Sequence, residues 1–231
     1  MKYTSCYYTK VLKVHIDSQK GLLIYGCGGH SKVVTELASS LGIVNIKYIE
    51  DIFTVPKSEF LGNPVLHAMP SGYKGNFFVA VGDNSAREKI YYKFKLNNPD
   101  ANPISLIHPM SYVASTAQIE EGVVVLALGY VGSECRVGKG AFVSPSVISH
   151  ESVLGDFCSI APGVVIAGGV SVGKRSAILV GANIKNKVSI GDDCVVGGAS
   201  FVRTNVADNS VVYGVPARFI RTRKPEESYL D

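Results

Sequence analysis

No run of apolar residues in this chain approaches the roughly 20 that a membrane-spanning helix needs. Gly, Asp or Lys interrupts each candidate, so no membrane span is expected. The opening stretch, MKYTSCYYTKVLKVHID, has Lys and Tyr scattered through it and lacks a continuous apolar segment ahead of a small-residue cleavage site; it does not read as a signal peptide. Cysteine is scarce and cannot pair fully. The five residues at 6, 27, 135, 158 and 194 form no CxxC, which argues against a disulfide framework or a metal site and fits a reducing cytoplasm. Excess charge is also missing. A net charge of +4 on dispersed residues leaves no nucleic-acid footprint. Only Arg218, Arg221, Arg223 and Lys224 cluster, either as a solvated tail or as an anion contact.

What the chain does have is 231 residues that are 46% hydrophobic, enough to bury a core. Residues 20–100 read as an α/β unit. Strand-like runs LLIY (22–25), IKYI (46–49) and FFVAV (77–81) alternate with helix-like segments, which predicts a parallel sheet. SKVVTELASSLG places apolar residues at 33, 34, 37, 38 and 41, with a serine near its start and Gly42 past its end. From Asn84 to Leu96 a second helix carries Ala86, Ile90 and Phe94 on one stripe. NNPDANP (97–103) then marks a boundary. Four segments are expected: an extension (1–19), a Rossmann-like domain (20–100), a second domain (101–217) and a tail (218–231). The extension offers an edge strand through Leu12, Val14 and Ile16.

Beyond the boundary the rhythm changes. Ile107, Val113, Ile119, Val125, Val131, Val137 and Val143 recur every six residues. After a five-residue step the series resumes as Ile148, Leu154, Ile160, Ile166, Val172, Ile178, Ile184, Ile190, Val196 and Val202. Small residues follow many of these beats by four positions, among them Ala117, Cys135, Ala141, Cys158, Ala182 and Cys194. Neither a helix nor an ordinary strand has this period; a hexapeptide parallel β-helix does, with three short strands closing each triangular coil. Cys135, Cys158 and Cys194 then read as small core residues. The pattern resembles the left-handed β-helix acyltransferases, and the resemblance supplies the handedness. It also implies a homotrimer with active sites where neighbouring prisms meet.

LLIYGCGGHSKVV sets Gly26, Gly28 and Gly29 between a strand and a helix, where backbone N–H groups can cradle a phosphate. Ser31 stands where the G-x-G-x-x-G pattern needs its last glycine, so a nucleotide fits better than NAD, and a tight turn without ligand stays open. Glu50 and Asp51 end the second strand, as ribose contacts or as a solvated strand end. Gly82, Asp83 and Asn84 form a third corner on the same sheet edge. A "GxGGHxKVV" loop, a "GDNxxR" corner and a following prism together resemble the sugar acetyltransferases grouped with bacillosamine N-acetyltransferase and sialic acid O-acetyltransferase. That resemblance covers nearly the whole chain. It implies that Gly26, Gly28, Gly29 and His30 face the diphosphate of a nucleotide sugar, that Glu50, Asp51 and Asn84 surround its base and ribose, and that Gly82 also lines the site.

Acetylating a sugar amine requires a group to take the amine proton and donors for the developing oxyanion. Only His108 and His150 lie in the prism, and His108, at its entry, reads as structural. His150 is followed by Glu151. On a strand, neighbouring side chains point to opposite faces, whereas a corner would let the carboxylate orient the imidazole. The five-residue step before Ile148 is expected to distort the coil at this pair. By its residues alone the pair is a surface contact or a catalytic one. The family's "HE" before "VLGDF" implies that His150 is the general base and Glu151 its orienting partner. Family members often carry a second histidine nine residues on, where this chain has Ser159. The resemblance further places acetyl-CoA, as co-substrate, along Ser159, Gly168, Val180 and Gly198, with Pro216 and Ala217 turning the chain out of the prism. Arg218, Arg221 or Lys224 would meet its phosphates. Acetylation of a nucleotide-linked 4-amino-4,6-dideoxy sugar for a bacterial surface glycan is the expected activity, and O-acetylation of a sialic-acid-type sugar the alternative. A three-histidine hydratase site is not supported, because two prism histidines are too few for it.

Overall fold

The computed structural model describes residues 21–51, 58–224 and 227–230. The edge strand expected at Leu12, Val14 and Ile16, and Cys6, lie outside them. The front unit runs β1 (Leu22–Tyr25), α1 (Gly29–Ser40), β2 (Ile46–Ile49), β3 (Glu59–Phe60), β4 (Asn63–Leu66), β5 (Asn76–Val79), α2 (Asn84–Asn97) and β6 (Asn102–Pro103). Its sheet order is β3-β4-β2-β1-β5-β6, parallel except for the β3–β4 pair. All four residues of β1 are buried, as a continuous apolar strand at the centre of a parallel sheet requires. With β6 the sheet extends past residue 100, where the first segment was expected to close.

Both helices differ from their sequence reading in an instructive way. α1 begins at Gly29 with Gly28 as its cap, so Ser31 lies inside the helix. Its hydroxyl instead donates to the Gly26 carbonyl at 2.7 Å and braces the glycine loop. α2 is capped by Asp83, whose carboxylate accepts from the Ala86 N–H at 2.9 Å. Its buried positions are Asn84, Arg87, Tyr91 and Phe94, with Ala86 and Ile90 only half-buried. The stripe is rotated because α2 serves two surfaces. Tyr91 meets Phe77 of the sheet and Phe157 of the second domain at 5.7 and 5.5 Å between ring centroids.

From Leu106 onward the chain winds as a left-handed parallel β-helix. Two-residue strands run from β7 (Leu106–Ile107) to β23 (Phe201–Val202), and each of the seventeen apolar beats is the second residue of one strand. Stacked beats pair in register, as in Ile148↔Ile166 and Ile166↔Ile184. They form the prism core, where Val125, Val131, Val143, Ile148, Ile166 and Ile178 are fully buried. The buried thiols of Cys135, Cys158 and Cys194 are pushed up by desolvation, Cys158 to about 12, which suits inert core residues. Glycine after a beat has a packing cause: a Cβ on Gly155 would lie 2.7 Å from the Gly173 backbone one coil away. The prism ends in a parallel strand β24 (Ser210–Gly214) and an antiparallel return β25 (Ala217–Thr222), so residues 218–222 belong to the sheet and not to a free tail.

The coil corners explain the missing residue. Most are two-residue turns whose second member is left-handed, such as Gly140 (φ 62°), Glu151 (φ 59°), Phe157 (φ 55°) and Gly169 (φ 68°). The corner between Phe142–Val143 and Val147–Ile148 is one residue shorter and has no left-handed residue; the Ser146 hydroxyl closes it onto the Ser144 carbonyl at 2.8 Å. The irregularity expected at His150–Glu151 therefore lies at Ser144–Pro145–Ser146. His150 and Glu151 occupy a regular corner.

The prism has three faces. Leu106, Val124 and Phe142, which point outward on the first, pack into a shared core with Val34, Leu37 and Ala38 of α1. That face is covered by the front unit, and the corner bearing His150 joins the other two.

Candidate active site

His150 Nδ1 lies 2.9 Å from a Glu151 carboxylate oxygen. Both side chains are about two-thirds exposed, at 66% and 63%, so the pair opens outward from the prism. The corner makes the contact possible, since the left-handed turn at Glu151 breaks the alternation that a strand would impose. Gly168, one coil above, makes room for the ring: a Cβ there would come within 2.5 Å of His150 Cε1 and 2.6 Å of Nε2. The Gly169 N–H donates to the His150 carbonyl and the Glu151 N–H to Ser133, at 2.9 and 2.8 Å, so the main chain of the pair is held from both sides. A carboxylate accepting the Nδ1 proton leaves Nε2 as a base.

The second group of expected residues gathers at the carboxyl edge of the front sheet. Gly26 adopts φ 110°, which only glycine takes readily, and a Cβ on Gly28 or Gly29 would meet nothing within 4 Å. That loop surface is open. Glu50 accepts from the Cys27 N–H at 3.1 Å, and Asp51 accepts from the Tyr25 hydroxyl. Burial and Asp51 raise the Tyr25 pKa, so this phenol remains a donor. His30 packs on Phe142 of the prism at 4.8 Å between ring centroids. Burial, aided by the Arg87 cation, lowers its pKa and keeps it neutral near pH 7.

Asn84 departs from its expected place around a base and ribose. It is 1% exposed and spans the two domains. Its amide donates to the Arg175 and Ser176 carbonyls at 2.9 and 3.2 Å, and its Oδ1 accepts from Ser159 at 2.6 Å and Arg87 at 2.7 Å. Ser159 is thus engaged at the covered prism face, apart from the His150 corner. At the centre of this junction is Arg87, fully buried and not singled out by the sequence reading. It donates to the carbonyls of Gly140 (3.0 Å), Val81 (2.9 Å), Gly82 (3.0 Å) and Phe157 (2.8 Å). The "GDNxxR" spacing was its signal; Arg87 lies one helical turn after Asp83 and so reaches back over the same corner. Tyr229 had no such signal. Its hydroxyl donates to the Gly82 carbonyl at 2.8 Å.

Apart from Ser159, the residues expected along the cofactor divide between two corners. Gly168 shares the corner of His150, whereas Val180, 62% exposed, and Gly198, stacked on the Val180 carbonyl, occupy the next. Both corners border the same prism face. Of the basic residues near 220, Arg221 pairs with Glu227, and Arg223 donates to the Asp193 carbonyl at 2.8 Å. Among the described residues there is no cluster of three metal-ligating side chains, and no helix is long and apolar enough to cross a membrane.

Residues 21–94 match the model of the PglD N-terminal domain. A perosamine N-acetyltransferase variant from Caulobacter crescentus, solved with CoA and GDP-perosamine, is 31% identical; the match covers 87% of this chain and 97% of that one, with a TM-score of 0.79. The acetyltransferase domain of PglB from Neisseria gonorrhoeae, solved with acetyl coenzyme A, is 28% identical over 87% of this chain and 99% of that one, with a TM-score of 0.81. UDP-N-acetylbacillosamine N-acetyltransferase of Bacillus subtilis is 32% identical over 117 residues, 47% of this chain and 52% of that protein. The match thus spans about half the length of that curated relative. From the glycine loop through the hexapeptide prism, this chain belongs to the family of left-handed β-helix sugar acetyltransferases represented by the bacillosamine and perosamine N-acetyltransferases.

Proposed function

We propose that this chain transfers the acetyl group of acetyl-CoA to the amine of a nucleotide-linked 4-amino-4,6-dideoxy sugar. The reaction would take place in the cytoplasm and serve a bacterial surface glycan, with His150 as general base. The observation that carries this reading is the His150–Glu151 contact on an open corner, with Gly168 leaving space for the ring. Glu151 holds the Nδ1–H, and Nε2 takes a proton from the sugar amine as its nitrogen bonds to the thioester carbonyl. The C–S bond then breaks, and the imidazolium returns the proton to the departing CoA thiolate. The products are an N-acetyl sugar and free CoA.

Acetyl-CoA fits the same corner. Above Gly168 and Gly169 stand exposed Lys185 and Lys187, and then Arg203. At roughly 4.8 Å per coil they lie about 10–14 Å from His150, a separation the pantetheine arm bridges, so these cations would meet the CoA phosphates. Farther along, a cavity of about 280 Å³ lined by Thr204, Asn205, Arg218 and Phe219 has room for the adenine. The open glycine loop at Gly26, Gly28 and Gly29, with Asp51 beside it, would take the nucleotide sugar.

Gly168→Ala tests the geometry. Nothing in the Gly168 backbone conformation excludes alanine, but the methyl would displace the imidazole, and misplacing a catalytic group by about 1 Å costs up to about 100-fold. Turnover should fall at least about tenfold with the melting temperature unchanged. Undiminished turnover would mean the ring position is unimportant.

A homotrimer accounts for the face between the two cofactor corners. In its outward column Tyr112, Tyr130, Val147, Val165 and Phe201 are 38–47% exposed, with exposed Asn183 between the last two, and Tyr112 and Tyr130 stack at 5.0 Å. An apolar stripe of this length is typical of a surface that meets another copy. Val165→Glu should shift gel filtration from three chain masses towards one; an unchanged elution volume would remove this face from the interface. The acceptor is tested by thiol release from acetyl-CoA. A 4-amino sugar nucleotide should support it and sialic acids should not, and the opposite ranking would establish O-acetylation.

A further inference from the structure

Resting on the proposed transfer to a nucleotide sugar, the geometry points to Tyr229 as a positioning residue that, together with Arg87, aims two backbone N–H groups at the substrate's diphosphate. Arg87 Nη1 donates to both the Val81 and Gly82 carbonyls, at 2.9 and 3.0 Å. From the other end of the chain, the Tyr229 hydroxyl donates to the same Gly82 carbonyl at 2.8 Å. Both lone pairs of that oxygen are therefore filled, which fixes the peptide plane between Gly82 and Asp83.

In a planar trans peptide the N–H points opposite to its carbonyl. With the Val81 and Gly82 carbonyls turned towards Arg87, the N–H groups of Gly82 and Asp83 turn away from it. Neither finds a backbone or side-chain acceptor among the described residues. Two adjacent N–H groups facing the same way, at the carboxyl edge of a parallel sheet and beside the open glycine loop, form an anion-binding concavity. The Asp83 carboxylate is turned aside to cap Ala86. Neutral His30 approaches Gly82 closely on one side, where a Gly82 Cβ would lie 3.0 Å from its ring, and Leu230 closes in from the segment that carries Tyr229, 3.1 Å from the same point. The diphosphate, being part of every nucleoside-diphosphate sugar, is the group this arrangement would recognise.

Tyr229→Phe keeps the ring and removes only the hydroxyl. Loss of one such hydrogen bond should raise the KM for the nucleotide sugar about fivefold to tenfold. The Kd for UDP or GDP, whichever the wild type binds, should weaken by the same factor in calorimetry. The kcat, the KM for acetyl-CoA and the melting temperature should stay within error of wild type. A purely structural tyrosine would move both KM values or the melting temperature. Unchanged diphosphate binding in Tyr229→Phe, with clear binding by the wild type, would overturn this inference alone; a wild type that binds neither diphosphate nor any amino-sugar nucleotide would overturn the proposed function with it.

Discussion

Replacing His150 with alanine should lower acetyl transfer by about 10²–10⁴-fold, the usual contribution of a positioned general base. The loss should fall on turnover. At 66% exposure the imidazole supports little of the core, and its removal leaves the main-chain bonds of the corner in place. Melting temperature and acetyl-CoA binding by calorimetry should therefore match wild type. The amine acceptor is already nucleophilic when unprotonated, so residual activity is expected to rise with pH as solvent replaces the base. Activity within about threefold of wild type at neutral pH would remove His150 from the chemistry.

Arg87→Ala should have the largest effect on stability. The side chain is fully buried, and its guanidinium binds carbonyls from the front corner and from two prism coils, with Asn84 Oδ1 completing the set. Removal leaves those acceptors dry and without donors, at about 1–3 kcal/mol for each that water cannot reach. A total loss of about 3–5 kcal/mol is expected, within the range seen when one partner of a buried charged network is deleted. In a chain of this size the melting temperature should then drop by roughly 10 °C or more. Because the bonds join the two domains, protease cleavage should appear first between α2 and the prism. A shift under about 3 °C would show that the junction is held by its apolar contacts, Tyr91 with Phe157 and Phe142 with α1.

Periodic features of this fold are written locally and could be read from the sequence. The seventeen apolar beats mark the inner residue of every prism strand because each six-residue unit repeats the same constraint: one aliphatic side chain inward, one small residue near the corner. LLIY and IKYI coincide with β1 and β2 because a buried parallel strand is a plain apolar run. The short step between Val143 and Ile148 was visible too, but its location was not. Counting beats gives the interval that lacks a residue, and the eye is drawn to the histidine beyond it, whereas the backbone absorbs the loss at Ser144–Pro145–Ser146.

Contacts between the two units were not legible. Arg87, Asn84, Ser159 and Tyr229 are brought together by the way the front sheet sits on one prism face, and no local period encodes that placement. Asn84 shows the consequence. A polar residue at a strand-to-helix corner resembles a ligand contact in sequence, yet here the domain junction uses every hydrogen-bonding group it has. The same packing leaves the His150 corner uncovered, on the border of the face with the apolar stripe.

The measurement that tests the central claim most directly is product analysis after incubating the purified chain with ¹³C-acetyl-CoA and nucleotide-linked 4-amino-4,6-dideoxy sugars. The account predicts one labelled acetyl group attached to the sugar nitrogen, formed with stoichiometric release of CoA thiol and almost absent with His150→Ala. Label appearing on a hydroxyl oxygen, or transfer to the amine that proceeds equally well without His150, would contradict it.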